Sequence, residues 1–309
     1  MKRIYSILAL ALLTFLPAFS KKTNPLSGRW DLTITTPDAT YPSWMEFTEK
    51  GDTPEVRIVG RVSSVHPANN VKLSGDTLTF DTSEWFGKPI PVSWQMTVAD
   101  QKITGKQTRS DGVEGQIAGV LAPALVRAKA PSWGDPTPLF DGKDLDGWTP
   151  FEGAANHWKA ENGELVNEAA GANIRTTRKF DDFKLHIEFN CPKNGNSGVY
   201  LRGRYEVQVE YEPADENDRY HGLGAIYGFL PPSVQLPKKP GQWESFDITL
   251  VGRRVTVIRD GVKTIDSQEI PGITGGAIDS DEGAPGPIYI QGDHTGGMKY
   301  RNITIATAH

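Results

Sequence analysis

Short runs in which apolar and polar side chains take turns recur along most of this 309-residue chain. Successive side chains of a strand point to opposite faces of a sheet, so such runs predict half-buried β-strands. Residues 55–62, 71–80, 92–98 and 113–120 are of this kind, punctuated by Ser74-Gly75-Asp76, Ala99-Asp100 and Asp111-Gly112. Farther along come 183–189, 243–250, 255–259, 262–265, 287–291 and 299–305, with Asp260-Gly261 as a two-residue hairpin signal. No long amphipathic helix interrupts the pattern. It predicts an all-β fold: a small antiparallel β-barrel or sandwich over 24–127, a linker over 128–138, and a jelly-roll sandwich over 139–307. The linker is proline-rich and stiff, anchored by Trp133.

The longest alternating run is 199–211, which reads as one strand. Its odd positions, Val199, Leu201, Gly203, Tyr205, Val207, Val209 and Tyr211, make a core face. Its even positions, Tyr200, Arg202, Arg204, Glu206, Gln208 and Glu210, concentrate long polar and titratable groups on the other. That face is either the floor of a binding groove or a ladder of surface ion pairs. Glu206 and Glu210 are ~13 Å apart at their Cα atoms on such a strand, a spacing that neither requires nor excludes a carboxylate pair for glycoside cleavage.

Composition narrows the choice. The 32 Gly and 22 Pro residues suit a turn-rich β protein. A net charge of −5 gives no reason to expect nucleic acid or an anionic membrane as partner. The first 20 residues, a basic start, a short apolar run and small residues near Ser20, read as a secretory signal peptide, so export to the bacterial periplasm or exterior is expected. The run is short for a membrane span, and no other segment reaches the required length. Cys191 is the only cysteine, so an intrachain disulfide is excluded and a packing role is expected.

The flanks of 199–211 add candidates. Asn196 stands in the turn-like Asn194-Gly-Asn-Ser-Gly198, while His221 and Tyr227 belong to a Gly-rich loop without the Gly-Lys-Ser/Thr of a phosphate loop. Gln291-Gly292-Asp293-His294 follows a strand and sets an aspartate beside a histidine, a pairing that suits acid–base work or a plain surface turn. Oxygen-rich Glu206, Gln208, Glu210 and Asp293 suit a calcium, magnesium or manganese ion, although no tight metal-spacing motif is present. In the first unit, His66, Trp44 and Trp85 are expected at core or rim rather than on a ligand surface. Trp148 is likewise expected in the core.

Residues 139–305 resemble the 3-keto-disaccharide hydrolase family, whose domain is a concanavalin-like jelly roll. The stretches that carry the resemblance are LFDGKDLDGW at 139–148, NSGVYLRGRYEVQV at 196–209, HGLGAIYG at 221–228, PGQWE at 240–244, GPIYIQ at 286–291 and YRNI at 300–303. Gly292 stands between Gln291 and Asp293 where the family commonly reads Gln-Asp-His, an insertion expected to shift Asp293 and His294. The first unit is similar to a small β-domain found ahead of this domain in some exported bacterial proteins, and its Gly28-Arg29-Trp30 opening to lipocalin-like barrels.

The resemblance implies a carbohydrate substrate: glycosides already oxidised at C3, supplied by an upstream sugar 3-dehydrogenase. It implies cleavage by C2 proton abstraction, elimination and hydration. On that reading Glu206 is the base, Arg202 with Gln208 or a cation meets the keto oxygen, and His294 is the acid. Asn196, Arg204, Glu210, His221, Tyr227, Gln291 and Asp293 would surround the sugar. Two other readings are a non-catalytic, lectin-like binder and an ordinary retaining glycosidase using Glu206 and Glu210. Gln208, in place of the middle carboxylate of a laminarinase-like Glu-x-Asp-x-Glu, speaks against the last.

Overall fold

The computed structural model describes residues 24–85, 87–211 and 218–309. The expected signal peptide at 1–20 lies outside the described residues. Among the described residues every regular element is a strand, and no helix is long and apolar enough to cross a membrane.

The first nine strands are β1 (Gly28–Thr35), β2 (Thr40–Lys50), β3 (Thr53–Val59), β4 (Val65–Pro67), β5 (Asn69–Ser74), β6 (Thr77–Trp85), β7 (Pro89–Ala99), β8 (Lys102–Arg109) and β9 (Glu114–Leu121). They form one antiparallel sheet in the order β4-β3-β2-β1-β9-β8-β7-β6-β5, which curls into a nearly closed barrel. The run read at 71–80 is two strands, because Gly75 at φ 60° turns the chain between them. β7 alternates exposed and buried residues over its whole length, as a barrel wall with one wet face must. Its inward side chains, Val92, Trp94 and Met96, meet Trp30, Phe47, Ile58 and Phe80 in the barrel core, with Phe80 and Trp94 stacked at 5.6 Å.

The second unit is a sandwich. One sheet takes β10 (Thr137–Pro138), β12 (Trp158–Glu161), β13 (Glu164–Asn167), β15 (Phe183–Asn190), β18 (Trp243–Val251), β19 (Arg254–Arg259), β20 (Val262–Glu269) and β22 (Met298–Thr307). The other takes β11 (Trp148–Pro150), β14 (Ile174–Thr176), β16 (Asn196–Leu201), β17 (Tyr205–Glu210) and β21 (Tyr289–Ile290). Phe183, Leu185, Ile187 and Phe189 of β15 and Phe246 and Ile248 of β18 face Val199, Leu201, Val207, Val209 and Ile290 across the core. Buried Trp148 belongs there too, its Nε1 donating to the Leu139 carbonyl at 2.7 Å. Cys191 is buried.

The barrel and the sandwich share a buried contact. Ser43, Trp44 and Met45 of β2 are all buried in succession, which a strand wet on one face would not allow. Trp44 points out of the barrel and meets Phe229 edge-on at 5.3 Å. Asp31 of β1 is buried beside Glu282 and Arg253, and Arg253 pairs with Glu282. Tyr205 donates its hydroxyl proton to Glu282 at 2.8 Å.

The single strand expected at 199–211 is instead the hairpin β16–β17. Arg202 at φ 52° and Gly203 at φ 68° reverse the chain, and the Arg204 N–H closes the turn on the Leu201 carbonyl at 3.0 Å. Partners across the hairpin differ by an even number, as in Tyr200 opposite Glu206, Gly198 opposite Gln208 and Asn196 opposite Glu210. The even residues of both strands therefore still share one face.

Candidate active site

That shared face floors a cavity of about 280 Å³. Glu206 and Gln208 of β17, Asn196 and Tyr200 of β16, and Tyr289 of β21 line it from the sheet, with Gln291, Asp293 and His294 following β21. Tyr227 and the Gly275-Gly276 turn close one side. Val62 and Trp85 reach in from the barrel.

Glu206 is 3 % exposed, and among the described residues no arginine or lysine hydrogen-bonds its carboxyl. Burial pushes its carboxyl up to about 8, against the downward pull of the Tyr200 hydroxyl and of His294. Tyr200 Oη lies 2.9 Å from Glu206 Oε2 and 2.8 Å from the Gly275 carbonyl. One hydroxyl has one proton to give. With Glu206 protonated, its own O–H donates to Tyr200 and Tyr200 donates to Gly275; with Glu206 ionised, Tyr200 turns its proton to the carboxylate. The Gln208 amide, oriented to suit its neighbours, donates to Glu206 Oε1 at 3.2 Å and to the Ser197 carbonyl at 2.8 Å. Gly198 makes room for this carboxyl: a Cβ there would sit 2.1 Å from Glu206 Oε1.

At the rim, His294 Nδ1 and Asp293 Oδ1 are 2.7 Å apart, so the aspartate orients the imidazole. Both side chains are about half exposed. The inserted Gly292 does not carry them away from the cavity. Its N–H donates to Asn173 Oδ1 at 2.7 Å, and its carbonyl accepts from Asn167 Nδ2 at 3.1 Å and from the Gly171 N–H at 2.9 Å. A Cβ at 292 would meet the Ala172 carbonyl at 2.5 Å and Trp158 Nε1 at 2.8 Å, so the insertion fits because it is glycine. Gln291 is 9 % exposed, and its Oε1 has no partner although it lies at the cavity wall. It stands as an open acceptor for a ligand hydroxyl.

Seven of the eleven expected site residues thus gather here: Glu206, Gln208, His294, Asn196, Tyr227, Gln291 and Asp293. The other four do not line the cavity. Arg202 sits in the hairpin turn, and its guanidinium leaves the sheet end to meet Asp181 at 3.1 Å and to donate to Tyr205 Oη and the Gly252 carbonyl at 3.0 Å each. Arg204, also in the turn, donates to Asp279 at 2.7 Å and to the Ala284 carbonyl at 2.9 Å. Glu210 lies at the far end of β17, with Lys238 3.2 Å away. His221 stands behind the wall, 2.6 Å from Asp218, with its ring edge-on to Tyr227 at 4.8 Å. Among the described residues no three His, Cys, Asp or Glu side chains are placed to hold a metal ion. Of the oxygen-bearing side chains considered for a cation, Glu206, Gln208 and Asp293 line the cavity, while Glu210 lies outside it, 3.2 Å from Lys238.

Sequence reading missed Tyr289, Asn173, Val62 and the Gly275-Gly276 turn. Tyr200 lies on the even face and was legible there; Tyr289, stacked on it at 3.9 Å, comes from a two-residue strand too short to show alternation.

Residues 135–306 match the model of the 3-keto-alpha-glucoside-1,2-lyase-like domain, more than half of the chain. The chain belongs to this family. A curated relative, the 3-keto-disaccharide hydrolase of Bacteroides thetaiotaomicron, is 23% identical over 146 residues, which cover 36% of this chain and 50% of the relative. The chain thus matches about half the length of that relative. Two crystal structures of Parabacteroides distasonis proteins, provisionally described as glycosyl hydrolases, are also similar. One is 29% identical with a TM-score of 0.48 and covers 60% of this chain and 96% of its own. The other is 21% identical with a TM-score of 0.48, covering 56% and 94%.

Proposed function

We propose that this family member cleaves glycosides oxidised at C3, 3-keto-disaccharides among them, releasing the 3-keto sugar and the aglycone. The observation that carries the reading is a buried carboxyl tuned to about 8 on the floor of the same cavity that has an aspartate-oriented histidine at its rim. A carbonyl at C3 acidifies the C2 proton, and a carboxylate of raised pKa is a stronger base for taking it. Glu206 removes that proton. The electron pair forms the C1–C2 double bond as the C1–O bond breaks, and His294 gives its proton to the departing oxygen. Water then adds through oxygen to C1, its proton passes to His294, and Glu206, its carboxyl proton exchanged with solvent meanwhile, protonates C2. The sum is hydrolysis, with no redox change.

Arg202 has no part in this scheme, because its guanidinium is committed beyond the turn. Donors for the enolate oxygen come from Tyr227 and from the Asn196 and Gln291 amides, which face the cavity. An ordinary retaining mechanism on Glu206 and Glu210 is disfavoured by Glu210 lying outside the cavity with Lys238 beside it. Incubation of the purified protein with methyl 3-keto-α-glucoside in D2O should release methanol and leave deuterium at C2 of the sugar, while the unoxidised parent stays intact. Cleavage of the parent, or release without C2 exchange, overturns the scheme. Binding without turnover would make the protein a lectin-like module.

A further inference from the structure

The family match begins at residue 135, yet one wall of the cavity is made by the barrel that precedes it. Trp30, Trp44 and Trp94 of the barrel are at most 2 % exposed, whereas Trp85 is 56 % exposed and lines the cavity together with Val62. Val62 is 55 % exposed, so two open apolar side chains stand together on the wall of a cavity whose floor is polar.

The wall is built in place. Glu84, next to Trp85, is buried, accepts from the Thr82 hydroxyl at 3.1 Å and stands 3.6 Å from His66 Nε2. Gly60 packs so closely on it that a Cβ would fall 1.7 Å from Glu84 Oε2. Residues 60–66 are thereby fastened to the end of β6. The same segment is wedged against the sandwich on two sides. A Cβ at Gly275 would lie 2.6 Å from the Ser63 carbonyl, and one at Gly228 would lie 2.7 Å from Ser64 Cβ. Gly228 follows Tyr227, and the Gly275 carbonyl meets Tyr200, the partner of Glu206. The apolar wall is therefore registered to the carboxyl at atomic contact.

We infer that Trp85 and Val62 of the barrel form the leaving-group subsite and take a second pyranose ring, its C–H face against the indole. The inference rests on the proposed cleavage of 3-keto-glycosides at Glu206. Chemistry divides the cavity accordingly. The floor offers Glu206, Gln208, Asn196 and Gln291 to a ring whose every edge is polar and whose C3 oxygen needs donors. The barrel side offers an indole and an isopropyl group, which match the flat apolar face of a sugar and have nothing for a charged or small leaving group.

The test compares 3-keto-trehalose, whose leaving group is a pyranose, with methyl 3-keto-α-glucoside. Trp85→Ala should lower the ratio of their kcat/KM values by about tenfold or more, and Trp85→Phe should restore most of it. An unchanged ratio overturns the subsite, as does a loss confined to a 3-keto-glycoside with an aryl leaving group. Binding supplies a readout that does not depend on turnover. Unoxidised trehalose should bind the wild-type protein more tightly than methyl α-glucoside, and the Trp85→Ala variant should lose that difference. If neither 3-keto compound is cleaved, the proposed activity fails while this comparison still decides the subsite.

Discussion

At the scale of single residues, the site turns on one carboxyl that pairs with no arginine or lysine among the described residues. The Arg202 and Arg204 guanidiniums, neighbours in sequence, are spent elsewhere, and burial is left to set the proton affinity of Glu206. Because the scheme needs Glu206 ionised and His294 protonated together, kcat/KM for a 3-keto-glycoside should be bell-shaped in pH, with one limb set by the Glu206 carboxyl at about 8. A limb at about 8 that persists in the residual activity of Glu206→Gln would belong to another group. Glu206→Gln keeps the shape and the Tyr200 contact but removes the base, so activity should drop about 10²–10⁴-fold. The same substitution has a stability signature of known sign. The raised carboxyl binds a proton in the folded state that the unfolded chain has lost, so its contribution is full below about 4.5 and lost as pH rises through about 8. Glu206→Gln should therefore gain melting temperature relative to wild type on the alkaline side, and little below pH 4.5.

At the scale of elements, the hairpin β16–β17 explains both what the sequence disclosed and what it hid. Alternation at 199–211 is real and survives the chain reversal, because cross-strand partners keep the same parity. That is why Glu206, Gln208 and Tyr200 were legible as one face, whereas Asn196, read as part of a turn, opens β16 and joins them. The reversal itself was not legible, since Arg202 and Gly203 continue the alternation while adopting positive φ, and an arginine there carries no turn signal. The two arginines were consequently placed in the groove when they belong to the turn. His221 was misplaced for a different reason: a loop residue can stand behind a wall as readily as in it, and spacing does not distinguish the two. Gly198 offers the test at this scale. A methyl group at 198 presses on Glu206 Oε1 at 2.1 Å and on its Cγ and Cδ at 2.9 Å. Gly198→Ala should cost about 1–3 kcal/mol of stability by overpacking and lower activity nearly as far as Glu206→Gln, while the protein remains folded. A Gly198→Ala protein with wild-type kcat would remove the need for the tight floor.

At the scale of the whole molecule, the alternating pattern separated barrel from sandwich but could not reveal that they share a surface. Partner faces leave one trace in sequence, apolar residues out of phase, and Trp44 within β2 is that trace. The polar half of the interface is harder still to read, because Asp31, Arg253 and Glu282 are remote in sequence and look solvated one by one. Together they make the junction sensitive to pH. Desolvation first, and the Glu282 carboxylate next, push Asp31 up to about 9, against the pull of Arg253 and Arg204. The folded protein therefore holds a proton on Asp31 that the unfolded chain releases near 3.8. This contribution to stability is full below about 4, falls across the window between, and is lost once pH passes about 9. Asp31→Asn supplies a neutral side chain of the same size at every pH. The expected outcome is a melting temperature that matches wild type at or below about pH 4 and exceeds it progressively toward pH 9, with the slope of stability against pH reduced. If the two proteins keep parallel pH profiles, the Asp31 proton is not part of what joins the barrel to the sandwich. If Asp31→Asn instead unfolds more readily at every pH, the ionised carboxylate, paired with Arg253, is the form the interface needs.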